Sequence, residues 1–139
     1  MIKVVLDANI FVSSLLKLHS KPAQIIELVE KGEVILVISP AIISEIKRVL
    51  LYPKIVTLHH RSSDWIDTFI EELTKKATLT SGKLDITAIK DDPDDDKYLE
   101  CAVEGAVDYI ISGDKHLKNL KSFQGIKIIE PAMFLKIVK

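Results

Sequence analysis

IKVVLDANIFVSSLL, residues 2–16, carries the pattern of a covered strand followed by a helix. Its first five residues are apolar almost without interruption, instead of alternating apolar with polar. A strand of that kind is covered on both faces, as in a parallel sheet flanked by helices. A helical pattern follows at once, from about Ile10 to Lys17, so the chain passes from strand to helix within a few residues. Asp7 stands at the junction, at the carboxyl end of the strand.

The same succession recurs along the chain. Ser20 and Pro22 open a second helix and Gly32 closes it, with a capping oxygen and a proline at the start and a glycine at the end. VILVI (34–38) is the next strand, Ser39-Pro40 starts a helix to about Leu51, and Pro53 ends it. Ser62-Ser63 caps a helix that places Ile66, Phe69, Ile70, Leu73 and Ala77 on one face. Residues 78–89 are ambiguous, with one short strand expected at ITAI (86–89). The aspartate-rich DDPDDD (91–96) opens a helix closed by Gly105, DYIIS (108–112) and IKII (126–129) are strands, and Pro131 starts the last helix. Strands separated by helices give an α/β fold, three layers α/β/α with a mostly parallel central sheet. The 139 residues fit one domain, 1–139. In such sheets the ligand crevice lies outside the carboxyl ends of the strands.

The bulk composition bounds the function. At 47% hydrophobic and 28% charged residues the chain is globular in character. Its apolar runs are too short to cross a bilayer, and the start resembles a strand and not a secretory leader. Cys101 is the single cysteine and cannot form an internal disulfide, which fits a reducing cytoplasm. The net charge of −1 gives no basic field, so any nucleic acid must be held by local lysines or by metal.

Four carboxylates stand where chemistry would need them. Asp7 and Asp114 close strand-like runs, and each could instead cap the helix that follows. Glu45 falls between Ala41 and Val49 on the helix from Pro40, within the arc of Ala41, Ile42, Ile46 and Val49. A carboxylate at the edge of a buried face needs an ion pair or a metal. The cluster at 91–96 holds five aspartates, more than capping requires. On its helix Asp96 shares a side with Leu99 and Val103, which makes Asp96 the inward candidate. A calcium-binding EF-hand loop is excluded, because Lys97 stands where the glycine belongs and Val103 where the glutamate belongs. Asp7, Glu45, Asp96 and Asp114 from four segments can therefore converge. Unpaired they would repel and raise one another's pKa, a conflict a hard divalent cation removes, and oxygen ligands select Mg²⁺ or Mn²⁺. Such a site activates water and stabilises charge on a phosphodiester oxygen.

VVLDANIFVSSLL, ISPAIISEIKRVL, DPDDDKYLECAVEGAVDYIISGDKHL and FQGIKIIEPAMFL, in this order over nearly the whole chain, resemble the PIN-domain ribonucleases. Within that family they are most similar to the VapC-like toxins of toxin–antitoxin systems. The resemblance implies a Rossmann-like parallel sheet and a metal-dependent ribonuclease. Its first aspartate falls on Asp7, its glutamate on Glu45, its third acid on Asp96 with Asp94 or Asp95 open through register, and its fourth on Asp114. Asn9 matches a polar position that supports the first aspartate, and Ser112 matches a small hydroxyl near the fourth acid. It also implies a homodimer, an RNA substrate and a protein antitoxin as partners. The expected reaction is hydrolysis of single-stranded RNA to 5′-phosphate and 3′-hydroxyl ends. Lys47, Arg48, Lys115 and Lys118 either hold the RNA backbone or form solvated helix faces.

Two other functions fit these residues. VVLDANI is one residue from the haloacid-dehalogenase phosphatase signature, which needs an aspartate where Asn9 stands. A PIN-like fold could also bind RNA or protein without catalysis. The other residues read as structural: surface loops for His19, His59, His60 and His116, a small core position for Cys101, and helix packing for Trp65 and Phe69.

Overall fold

A computed structural model describes residues 1–88 and 93–138. Asp91, Asp92 and Ile89, the end of the expected strand at ITAI, lie outside the described residues. Strand β1 (Lys3–Leu6) leads into helix α1 (Ala8–Leu16), then α2 (Lys21–Glu30), β2 (Ile35–Ile38) and α3 (Pro40–Leu50). Helices α4 (Pro53–His59) and α5 (Ser63–Lys76) precede the short strand β3 (Thr78–Leu79). A 3₁₀ turn (Pro93–Asp95) runs directly into α6 (Asp96–Glu104). The chain ends with β4 (Tyr109–Ile111), α7 (Lys115–Leu120), β5 (Ser122–Phe123), β6 (Ile126–Ile129) and α8 (Pro131–Val138).

The helices begin where the sequence supplies caps. Ser20, Ser39 and Ser62 each accept a hydrogen bond from the backbone N–H three residues on, at 3.2, 3.3 and 3.1 Å. The strands β1, β2 and β4 bury Val4–Leu6, Leu36–Ile38 and Ile110–Ile111, adjacent residues that point to opposite faces. Both faces are therefore covered, and the expected α/β layering with a mostly parallel sheet is what forms. The strand order is β3-β2-β1-β4-β6-β5, parallel throughout except for the β5–β6 hairpin. Gln124 and Gly125 connect that hairpin with positive φ at both positions, as tight two-residue turns require.

The sequence reading needs correction in four places. Pro53 ends α3 but also starts α4, because its missing N–H costs nothing in a first helical turn. The short strand after α5 lies at Thr78–Leu79, beside β2, and residues 86–88 are not strand. The edge strand β5 was unmarked in the sequence. His59 is buried: its Nδ1 accepts from the Arg61 N–H at 2.8 Å, so the Nε2–H donates to the Leu50 carbonyl, also at 2.8 Å. Among the described residues, no helix is long and apolar enough to cross a membrane.

The order β2-β1-β4-β6 contains the reversal that matters. From β1 the chain moves outward to β2 and β3, and from β4 it moves the opposite way to β6. The switch point lies between β1 and β4, where an open α/β sheet forms its crevice. Helix α6 packs against β1, β2 and β4 on the way into this region. Its closing residue, Gly105, lies so close to β2 that a Cβ there would overlap a Val37 methyl.

Candidate functional site

Register builds the site first. Leu6 pairs with Ile111 across β1 and β4, so Asp7 and Ser112 leave the two strands side by side. The Asp7 N–H still donates to the Ile111 carbonyl at 3.2 Å, and the Ser112 N–H to the Ile129 carbonyl at 3.0 Å. The ladder thus holds both residues rigidly at the switch point. The Ser112 hydroxyl donates to Asp7 Oδ2. Asp7 Oδ1 accepts the Asn9 backbone N–H at 2.7 Å, so Asp7 caps α1. Asn9 thereby supports Asp7 through its backbone, while its side chain is exposed. Burial pushes the Asp7 carboxyl above the ordinary range, and the charge of Asp114 adds to the shift.

Asp114 follows the same design after β4. Its N–H donates to Ser112 Oγ at 2.9 Å, and its Oδ1 caps α7 by accepting from the N–H groups of His116 and Leu117 at 2.8 and 3.2 Å. Ser112 thus touches both strand-end aspartates. For Asp7 and Asp114, capping and a place in the crevice turn out to be compatible roles.

Glu45 projects from the margin of the buried face of α3 and is largely covered, with its side chain 16% exposed. Tyr98 of α6 donates its hydroxyl to Glu45 Oε2 and accepts the buried Ala8 N–H at 3.0 Å. Glu45 Oε1 meets Lys97 Nζ at 3.1 Å and the exposed Arg48 guanidinium at 3.4 Å. Tyr98 therefore bridges the residue after Asp7 to Glu45. Burial and the Glu45 hydrogen bond push its phenol well above the ordinary range, so it stays a donor.

A hollow collects these groups. It is lined by Asp7, Glu45, Asp95 and Asp114, together with Ala8, Asn9, Val49 and Tyr98. Asp96, the expected third acid, is buried as the sequence reading required, but its Oδ1 accepts the Ala88 N–H at 3.2 Å. Asp95 is the member of the cluster that lines the hollow, and Asp94 is exposed. The physical reason is the 3₁₀ turn before α6, which advances about 120° per residue and breaks the α-helical phase carried back from Leu99. The carboxylates share a hollow without closing on one point. Among the described residues, no three His, Cys, Asp or Glu side chains form a group that could hold a metal ion as they stand.

The neighbouring cations are mostly engaged elsewhere. Lys47 pairs with Asp67 at 3.0 Å and Lys118 with Glu130 at 2.6 Å, while Lys115 is exposed. Cys101 is buried and its thiol is pushed up to about 11, which suits a core position and not a nucleophile. Trp65 and Phe69 stack at 5.4 Å on α5, with the Arg61 guanidinium 4.4 Å from the Trp65 ring.

Sequence comparison agrees with this architecture. Residues 3–116 match the family model described as PIN domain, and the chain belongs to that family, whose members are generally nucleases. The uncharacterized protein MJ1680 of Methanocaldococcus jannaschii is similar, 28% identical over 120 residues that cover 86% of this chain and 76% of that protein. Tyr98 and Lys97 are neighbours of the hollow that the sequence did not reveal. Their partners lie far along the chain, and no local pattern marks them.

Proposed function

We propose that the protein is a divalent-cation-dependent endoribonuclease that hydrolyses single-stranded RNA and acts as the toxin of a toxin–antitoxin pair. The observation that carries the enzymatic reading is the meeting of Asp7, Glu45, Asp95 and Asp114, from four segments, in one hollow at the β1–β4 switch point. Burying a carboxylate is costly: burial pushes the Asp7 carboxyl above its ordinary range, and the charge of Asp114 adds a smaller push in the same direction. The donor chemistry fits a hard cation: among the described residues the lining offers carboxylate oxygens and no histidine or cysteine, which favours Mg²⁺ or Mn²⁺ over zinc. Asp7, Glu45, Asp95 and Asp114 would hold it, with Asp96 supporting the start of α6 from behind. When bound, such an ion supplies Lewis-acid polarisation of water and offsets charge on the phosphodiester oxygen.

The chain's own residues orient and hold. Ser112 fixes Asp7 through Oδ2 and steadies the Asp114 backbone, so both acids are set by one hydroxyl. Tyr98 holds Glu45 against the start of α1. The backbone of an unpaired strand can bend into a recess of this kind more readily than that of a duplex. Water attacks phosphorus, the P–O3′ bond breaks, and the products carry 5′-phosphate and 3′-hydroxyl ends. Membership of the PIN family leaves the phosphatase reading without support.

The test is digestion of a labelled single-stranded RNA with Mg²⁺ or Mn²⁺ by the wild type, Asp7→Asn and Asp114→Asn. The expected result is cleavage by the wild type, abolished by chelator and reduced at least a hundredfold in both folded variants. Undiminished cleavage in either variant refutes the site. Growth arrest on expression of wild type and not of Asp7→Asn tests the toxin role and its setting in the cytoplasm. Sedimentation of the purified chain tests the homodimer.

A further inference from the structure

Both oxygens of Glu45 are committed to neighbouring side chains. Tyr98 takes Oε2, and Lys97 takes Oε1 at 3.1 Å. These partners are consecutive residues of α6, the helix whose start also brings Asp95 to the hollow. The Lys97 side chain is 15% exposed, so this ion pair is screened far less than a surface pair. Arg48 also reaches Oε1, at 3.4 Å, but its side chain is 60% exposed and contributes little.

The two partners differ in kind. A phenol is neutral and can keep its hydrogen bond to one oxygen while the other binds a cation. An ammonium carries the same sign of charge as the metal and occupies the oxygen the metal would need. The ring of Tyr98 lies 5.6 Å from Lys97 Nζ, close enough to receive a displaced ammonium through its π face.

Resting on the metal-dependent reading above, we propose that Lys97 is a built-in counter-cation which holds Glu45 in the metal-free protein and is displaced from Oε1 when a divalent ion enters, while Tyr98 keeps Oε2 and positions the acid. Lys97 thereby neutralises the hollow when it is empty of metal and raises the divalent concentration at which it fills. Tyr98 acts as a positioning residue, not a ligand.

The experiment is a calorimetric Mn²⁺ titration, with free Mn²⁺ followed by electron paramagnetic resonance. It uses the full chain as wild type, Lys97→Met, Lys97→Arg, Arg48→Met and Asp7→Asn, each checked for fold by circular dichroism. Removing a competing unit charge at this burial is expected to tighten Mn²⁺ binding roughly three- to tenfold in Lys97→Met. Lys97→Arg keeps the charge and stays within about twofold of the wild type, as does Arg48→Met. Equal or weaker binding in Lys97→Met overturns the proposal, as does equal tightening in Lys97→Arg. A wild type that binds Mn²⁺ with Asp7→Asn weakened, but with Lys97→Met unchanged, removes only this inference. A wild type with no saturable binding removes it together with the metal-dependent function.

Discussion

Replacing Tyr98 by Phe removes one oxygen atom, and its cost can be worked from two contacts. The hydroxyl accepts the Ala8 N–H at 3.0 Å in a place where Ala8 is 3% exposed. Without it, a buried amide donor is left unsatisfied, a penalty of about 1–3 kcal/mol. The hydroxyl also donates to Glu45, which keeps its contact with Lys97 and so loses only part of its compensation. No cavity forms, because the ring remains. The sum is about 2–3 kcal/mol of lost stability, or a fall in Tm of roughly 6–10 °C for a chain of this size. Urea unfolding of the metal-free protein at neutral pH measures it, with Tyr52→Phe as control, since Tyr52 is 46% exposed and should stay within about 0.5 kcal/mol. If Tyr98→Phe also stays within about 0.5 kcal/mol of wild type, the bridge does not carry the energy assigned to it.

Three further outcomes follow from the same geometry. Asp7 has a folded-state pKa raised by burial, so its ionised form opposes folding. That opposition is absent at acid pH, where the group is protonated in both states, and complete once pH exceeds the folded pKa. Asp7→Asn should therefore stabilise the metal-free protein at neutral pH and not at acid pH, read from urea midpoints. A variant less stable at neutral than at acid pH, relative to wild type, contradicts this sign. Gly105→Ala should destabilise by about 1–3 kcal/mol in chemical denaturation, through overlap with Val37; a neutral result means α6 can shift off β2. Asp95→Asn should lose RNA cleavage in a variant that still folds. Asp96→Asn should lower the midpoint first, because Asp96 holds the Ala88 amide; the reverse pattern reassigns the third acid.

How much of this could be read from the residues depends on how local the cause is. The parallel sheet was legible because burial on both faces leaves continuous apolar runs such as VVL at 4–6. Asp7 and Asp114 stood out because the carboxyl ends of parallel strands point to a crevice. Glu45 stood out by lying in an apolar arc, and it is indeed held at the margin by partners. What stayed hidden was phase and long-range pairing. The 3₁₀ turn before α6 rotates Asp95 into the hollow, and no α-helical period extended backward can foresee it. Tyr98 reads as one more apolar helix residue until α1 and α3 bring Ala8 and Glu45 to its hydroxyl. His59 reads as surface for the same reason: its partner Leu50 is set by the turn between α3 and α4. Two-residue strands such as β3 and β5 carry too few side chains for any alternation to show.

A single divalent ion is expected to compensate the acids gathered between β1 and β4. Anomalous scattering from a crystal grown with Mn²⁺ tests it most directly. A peak is expected in the hollow at the Asp7 carboxylate, with Asp114 and a released Glu45 beside it. A well-ordered crystal with Mn²⁺ bound only elsewhere, and Glu45 still paired to Lys97, would contradict it.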